Sequence, residues 1–306
     1  MAKNKTKPKI SSLYINRLRG RMLYLPSQSK TKKREILLLY GHHASLERMN
    51  GIAENLSKYG NVTLPDLPGF GGMKSFYNIG REPTIDNFAD YLAAFIKLKY
   101  KRKRLTVMSM SFSFLIVTRM LQKYPEIAKK VDLVVSSVGF VHYQDFKLPK
   151  SQQRGLRLLG TVFQHKFPAF MFRYLVLTGP VIKTTYKLVA KRHSKMHDAE
   201  SPEELNKRIQ AEIILWQIND VSTRMKTMAD MFKVDLCDKK VDLPVYHVSV
   251  ENDRYFDNRV VEQHMRIIYK DFINIPAEIP AHMPSIVATA EEAELFVPDK
   301  LRKLLK

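Results

Sequence analysis

The stretch Leu105-Thr106-Val107-Met108-Ser109-Met110-Ser111-Phe112-Ser113 decides how this chain is read. An apolar run ends in Ser-Met-Ser-Phe-Ser, and Phe114 to Leu121 then reads as a helix stopped by Tyr124-Pro125. A strand that runs straight into a helix through a tight turn lifts the residue at the turn out of the fold. Ser111 occupies that place, and its hydroxyl is a candidate nucleophile. The plain alternative is a small residue packed into a buried strand–helix turn.

Outward from this turn, strands and helices alternate. Residues 1–12 read as a disordered basic tail, and Leu13 to Tyr24 as two strands around a hairpin turn at Gly20. Ser27 to Arg34 is a polar loop. Glu35 to Tyr40 is a continuous apolar run and so a buried strand. Met49 to Tyr59 is helical, with Gly60 as its stop, and Asn61 to Leu64 is a short strand. Thr84 caps a helix that places Phe88, Leu92, Phe95 and Ile96 on one face. Val131 to Val138 is a strand ended by Gly139. From about Tyr143 to Phe232 the pattern is helical without clear strands. Pro244 to Val250 is a strand, Arg259 to Tyr269 a helix, Ala277 to Ile279 a short strand, and Glu291 to Leu305 a final helical stretch.

This order predicts an α/β fold: a mostly parallel sheet covered by helices, interrupted by an inserted helical cap. The expected units are a tail over 1–12, a first core part over 13–142, the cap over 143–235 and a second core part over 236–306.

Composition narrows the function classes. The chain has 306 residues, of which 45% are hydrophobic, enough for one large domain with an insertion. A lone Cys237 excludes an intrachain disulfide and fits a reducing, cytoplasmic setting; it reads as an inert buried thiol. Residues 1–35 carry eleven Lys/Arg against Glu35, and residues 147–197 carry eleven Lys/Arg with no acid. Together these two segments equal the whole net charge of +21. Localised positive charge attracts anionic partners. The N-terminus lacks the apolar run of a secretory signal, and the longest apolar candidate span, Phe167 to Ile182, is broken by Arg173 and Pro180.

Further sites join Ser111 in a recognisable order. Tyr40-Gly41-His42-His43-Ala44-Ser45 follows a strand, and so does Asp66-Leu67-Pro68-Gly69-Phe70-Gly71-Gly72. Val250-Glu251-Asn252-Asp253-Arg254 and Ala281-His282-Met283-Pro284 follow the last two predicted strands. This series resembles the α/β-hydrolase family: a His-Gly-x segment, an Asp-x-x-Gly-x-Gly loop, a Gly-x-Ser-x-Gly elbow, then an acid and a histidine in the order Ser, Asp, His. The resemblance covers roughly 13–140 and 240–305. It departs from the family at Ser109 and Ser113, which replace the elbow glycines, and at Tyr40, which replaces the histidine before Gly41.

The resemblance implies a serine hydrolase. Ser111 would attack, His282 would act as base and then acid, and Asp253 would orient the imidazole. The backbone N–H groups of Phe112 and His42 would hold the oxyanion. Asp257 is an alternative carboxylate, and Asp253 could instead cap the segment after it. His42 and His43 are rejected as a metal pair, because adjacent side chains diverge and no carboxylate cluster accompanies them; no metal or cofactor is expected.

The segment from Arg154 to Lys195 mixes large apolar residues with lysine and arginine only. It suits a lid over an acyl pocket or a face at a water–lipid boundary. The alternative is the cap's own core with a solvated basic face, and Trp216 belongs to packing or to the same pocket. The expected substrate is therefore an ester of an apolar acyl group, such as a monoacylglycerol or lysophospholipid. Peripheral contact with an anionic membrane, through tail and cap at the inner face, is a further expectation. Carbon–carbon bond hydrolysis on the same residues is the nearest rival. A non-catalytic module binding anionic lipid follows it, and nucleic acid ranks last because no motif for it is present.

Overall fold

Among the described residues eight strands form one sheet: β1 (Lys9–Ile15), β2 (Leu18–Leu25), β3 (Arg34–Leu39), β4 (Gly60–Pro65), β5 (Leu105–Met110), β6 (Val131–Ser137), β7 (Val241–Val250) and β8 (Tyr269–Ala277). They lie in the order β1-β2-β4-β3-β5-β6-β7-β8. The β1–β2 and β2–β4 pairs are antiparallel and every other pair is parallel. The computed structural model describes residues 8–29, 34–190, 196, 199, 201–277 and 292–306.

All six residues of β5 are buried, as are the last four of β3. Burial on both sides is why these strands read as unbroken apolar runs rather than alternating ones. The covering helices before the insertion are α1 (Asn50–Leu56), α2 (Ile85–Lys99), α3 (Phe112–Lys123) and α4 (Pro125–Ala128). Thr84 caps α2 as expected, its Oγ1 accepting from Asn87 N at 3.2 Å.

Between β6 and β7 the chain makes α5 (Lys150–Phe163), α6 (Lys166–Met171), α7 (Gly179–Val189), α8 (Pro202–Ile218) and α9 (Val221–Met231). A π-type turn, Phe172–Val176, continues α6. This insertion has a small core of its own, built on Ala169, Ile182, Ile209, Ile213, Trp216 and Met225. After it come α10 (Asn258–Ile268) and α11 (Asp299–Leu305).

Three details differ from the sequence reading. The first hairpin turns at Asn16 and Arg17, with φ of 49° and 67°, the mirror-image geometry that suits twisted strands. Gly20 instead lies inside β2 opposite Leu13, where a Cβ would sit 2.6 Å from Met73 Cγ. The helix expected to reach Tyr269 ends at Ile268, and Tyr269 opens β8. That strand alternates buried Phe272 and Ile275 with exposed Lys270 and Asn274, so its polar residues hid it. The expected strand at Ala277 to Ile279 is thus only the end of β8, and Ile279 lies outside the described residues. Finally, β7 begins at Val241, with a register shift before Pro244, which has no N–H to give to the ladder.

The parallel strands finish at one rim. Leu39 pairs with Ser109, Met110 with Ser137, Ser137 with Val248 and Val250 with Ala277. Chain leaving β3, β5, β7 and β8 therefore emerges along the same edge of the sheet, where open α/β sheets place their ligands.

Candidate active site

Ser111 joins β5 to α3 with φ 49° and ψ −119°. A non-glycine residue there carries roughly 1–3 kcal/mol of backbone strain, held by its surroundings. Its N–H donates to Ser137 O at 3.0 Å, and its carbonyl accepts from Phe114 N at 2.9 Å. Ser111 is half-buried while its neighbours from Leu105 to Leu115 are buried, so the turn offers this one side chain to the rim.

The two serines that flank it behave differently. Ser113 Oγ accepts from Met110 N at 3.0 Å and lies 3.0 Å from Met110 O and 3.3 Å from Leu39 O. Its hydroxyl thus pins the turn from the helix side. Ser109 is fully buried, and its Oγ has no hydrogen-bond partner among the described residues. The space a glycine would leave is filled in both cases by the smallest polar side chain.

Phe112 N–H is the first amide of α3, which no carbonyl of the helix can reach. The loop after β3 lies beside it. The His42 ring packs edge-on against Phe112 at 5.3 Å and Phe70 at 5.5 Å. Thr227 Oγ1 donates to Thr223 O, so it accepts from His42 Nε2–H at 2.9 Å. His43 (φ 55°) turns the other way: its Nδ1 accepts from Asn219 Nδ2 at 3.1 Å, and its ring lies 4.5 Å from Trp216. Asn219 Oδ1 accepts from Gly71 N, which fixes the amide's orientation and leaves the His43 proton on Nε2, 3.7 Å from Glu212 Oε2. The two histidines diverge, as adjacent side chains do.

Asp253 is buried just beyond β7. Its Oδ1 accepts from Tyr255 N at 2.7 Å and Phe256 N at 3.1 Å, and its carbonyl accepts from Lys147 Nζ at 2.8 Å. Asp257 caps α10 through Arg259 N and Val260 N, which accounts for the alternative carboxylate. His282 lies outside the described residues. The structure therefore brings Ser111, Phe112, His42 and Asp253 to one rim.

Asp66 anchors the loop under this rim. It accepts from Arg21 Nε at 3.1 Å and Tyr40 OH at 3.3 Å, while Tyr40 OH accepts from Leu67 N at 2.7 Å. That is the work of the tyrosine that precedes Gly41. A Cβ on Gly71 (φ 60°) would lie 2.1 Å from Asp66 Oδ1, so only glycine fits. Burial outweighs the Arg21 attraction and pushes the Asp66 carboxyl up to about 7. Its stabilising effect is complete below about pH 4, where the unfolded chain is protonated too, and is lost as pH rises through about 7. His247 acts oppositely: burial lowers its imidazole to about 4, so its contribution is present above about pH 6.5 and lost as pH falls through about 4. Between these limits the two slopes oppose. Asp66→Asn removes one of them, so the variant's stability in urea should rise between about pH 4 and 6.5 more steeply than wild type, by up to ~1.4 kcal/mol per pH unit. Parallel profiles would contradict the assignment.

Sequence reasoning missed one cluster. His142, Asp145 and His264 have ligand atoms within 4.8 Å of one another, the donor set of a metal site. Hydrogen bonds already engage it: Asp145 Oδ2 accepts from Val141 N and His142 N, and Oδ1 lies 2.6 Å from His264 Nδ1. Asp145 O also accepts from Asp257 N, and Lys147 N donates to Tyr255 O. The cluster thus clamps the loop that carries Asp253. Its one local signal was the His142-to-Asp145 capping box. Cys237, expected to be buried, is only half-buried; its thiol is raised to about 12 by partial burial and nearby acids.

No protein-family model matches the sequence, and no curated protein matches it. Solved structures match it in three dimensions. A thermophilic esterase from Thermogutta terrifontis superposes with a TM-score of 0.60 at 16% identity, over 98% of this chain and 100% of that one. Epoxide hydrolase A from Mycobacterium thermoresistibile gives 0.63 at 13%, over 97% and 98%. A bacterial membrane phospholipase A gives 0.64 at 15%, over 98% and 88%. The architecture is the α/β-hydrolase fold. At such identities the likeness establishes the fold, and the chemistry rests on this chain's own residues.

Proposed function

We propose that this protein is a serine hydrolase that cleaves carboxylic esters of apolar acyl groups, with Ser111 as nucleophile, His282 as general base and acid, and Asp253 as the carboxylate that orients the imidazole. The observation that carries the reading is the strained, half-exposed Ser111 turn at the rim where the buried Asp253 also emerges. A serine at this position also favours acyl chemistry over the carboxylate nucleophile that epoxide opening would use.

The histidine has the reach this needs. Ala277 pairs with Val250 at the rim, five residues before position 282. Five residues span at most ~17 Å. The distance from β8 to β5, three strands at about 4.8 Å each, is ~14 Å.

In the forward step, Ser111 Oγ attacks the ester carbonyl carbon as His282 accepts its proton. The carbonyl oxygen becomes an oxyanion, met by the N–H groups of Phe112 and His42. Asp253 accepts from the far ring nitrogen and stabilises the imidazolium. The tetrahedral species collapses, the ester C–O bond breaks, and His282 returns the proton to the departing alcohol. Water then attacks the acyl-serine by the same route, releasing acid and free enzyme. The helical insertion between β6 and β7 serves as the cap, and a monoacylglycerol or lysophospholipid fits its apolar, basic character.

A fluorophosphonate probe should form an adduct on Ser111, read by peptide mass spectrometry. Hydrolysis of p-nitrophenyl esters should then improve with acyl length. Folded protein that neither takes the probe nor turns over any such ester sinks the reading.

A further inference from the structure

The insertion turns an unusual face outward. Phe167, Phe170, Met171, Tyr174 and Leu175 recur at i, i+3, i+4, i+7 and i+8, one side of the helical run through α6 and its π-type turn. Such spacing normally buries a stripe. Here Phe167 is 73% exposed, Leu175 63% and Tyr174 60%, and Leu158 of α5 at 67% and Leu188 of α7 at 82% are likewise exposed. The opposite side of the same run already has its core: Ala169, Phe172 and Leu177 pack with Ile182 and Trp216. The exposed stripe is therefore not the insertion's own interior.

Charge indicates what covers it. Residues 147–197 contain no Asp or Glu. Lys150, Arg154, Arg157, Lys166, Lys183 and Lys187 are exposed on the same three helices. A second copy laid on this face would set like charge against like. Nucleic acid would match the cations and leave the aliphatic side chains in contact with phosphate and water. A bilayer bearing anionic headgroups matches both features: acyl chains receive the rings and aliphatics, and phosphates meet the cations. No helix among the described residues is long and apolar enough to cross a membrane, so the contact is lateral.

We infer that the outer face of α5 to α7 docks this protein onto an anionic phospholipid surface. The docking stands apart from the catalytic reading and deepens it, since an ester substrate would then arrive from the bilayer.

The test is flotation of the full chain with vesicles of phosphatidylcholine alone or mixed with phosphatidylglycerol. Wild type should float with the mixed vesicles and bind them at least about tenfold more tightly, with affinity falling as salt rises. Lys183→Gln and Lys187→Gln should each weaken binding about fivefold. Phe167→Ser combined with Leu175→Ser should weaken it by about tenfold or more, with an unchanged thermal melt. Ser111→Ala should float like wild type, which keeps a failure of docking distinct from a failure of catalysis. The inference falls if wild type ignores both vesicles, or if the variants bind as wild type does. It also falls if wild type is a dimer that Phe167→Ser and Leu175→Ser dissociate, or if a DNA duplex is bound with the same residue dependence in a gel shift.

Discussion

Ser111→Ala is expected to lower kcat for a soluble acyl ester by about 10⁶-fold, the scale on which serine hydrolases fail when the nucleophile goes. The alanine keeps Cβ, so the backbone stays in the same strained region and the protein stays folded. Loss of activity with an unchanged urea midpoint separates a nucleophile from a packing residue. Ser111→Gly sharpens the contrast. Glycine adopts a positive φ freely, so this variant should be equally inactive yet more stable than the alanine variant by about 1 kcal/mol. The pair thus reports catalysis and strain independently. Activity within tenfold of wild type in either variant would remove Ser111 from the mechanism.

Asp253→Asn comes next, with an expected fall in kcat of about 10⁴-fold, the cost of this change in serine triads generally. An asparagine Oδ1 can keep the bonds from Tyr255 N and Phe256 N, so the turn survives. What changes is the other side-chain atom, which becomes a donor where the mechanism needs an acceptor. In the proposed triad the imidazole would then be held in the wrong tautomer and its cation would lose a counter-charge. A merely structural aspartate predicts a different pattern: lower stability with a kcat close to wild type. Urea melts and pH–rate profiles on the same samples distinguish the two, because only the catalytic role shifts the acid limb of the profile.

Much of the fold was legible in the sequence, for identifiable reasons. Leu105 to Met110 and Glu35 to Leu39 are buried on both faces, so their apolar runs announced strands without help from context. The turn at Ser111 was visible because a strand signal met a helix signal with no loop between them. Contacts that join distant segments were not visible. Nothing near His142 in the sequence points to His264, and nothing near His43 points to Asn219. Local chemistry also misled where two explanations share a residue type. Gly20 looked like a turn but makes room for Met73, while Asn16 and Arg17 took the positive φ. The mixed composition of Tyr269 to Ala277 concealed an outer strand behind its lysine, aspartate and asparagine. The split of Arg154 to Lys195 into core and surface likewise needed the fold, because helical spacing shows that a stripe exists and not which stripe is covered.

The corner between α8 and α9 is fastened to the rim through a few short contacts. Asn219 spans His43 and Gly71, Asp220 N donates to Gly69 O, and Thr223 Oγ1 meets Ser75 Oγ. The inserted helices are therefore keyed to the core at this knuckle, beside the bond from His42 to Thr227 of α9. A foreign insertion grafted onto this fold would need to bring a carboxamide to that knuckle, since otherwise the loops of His43 and Gly71 would lose their common brace.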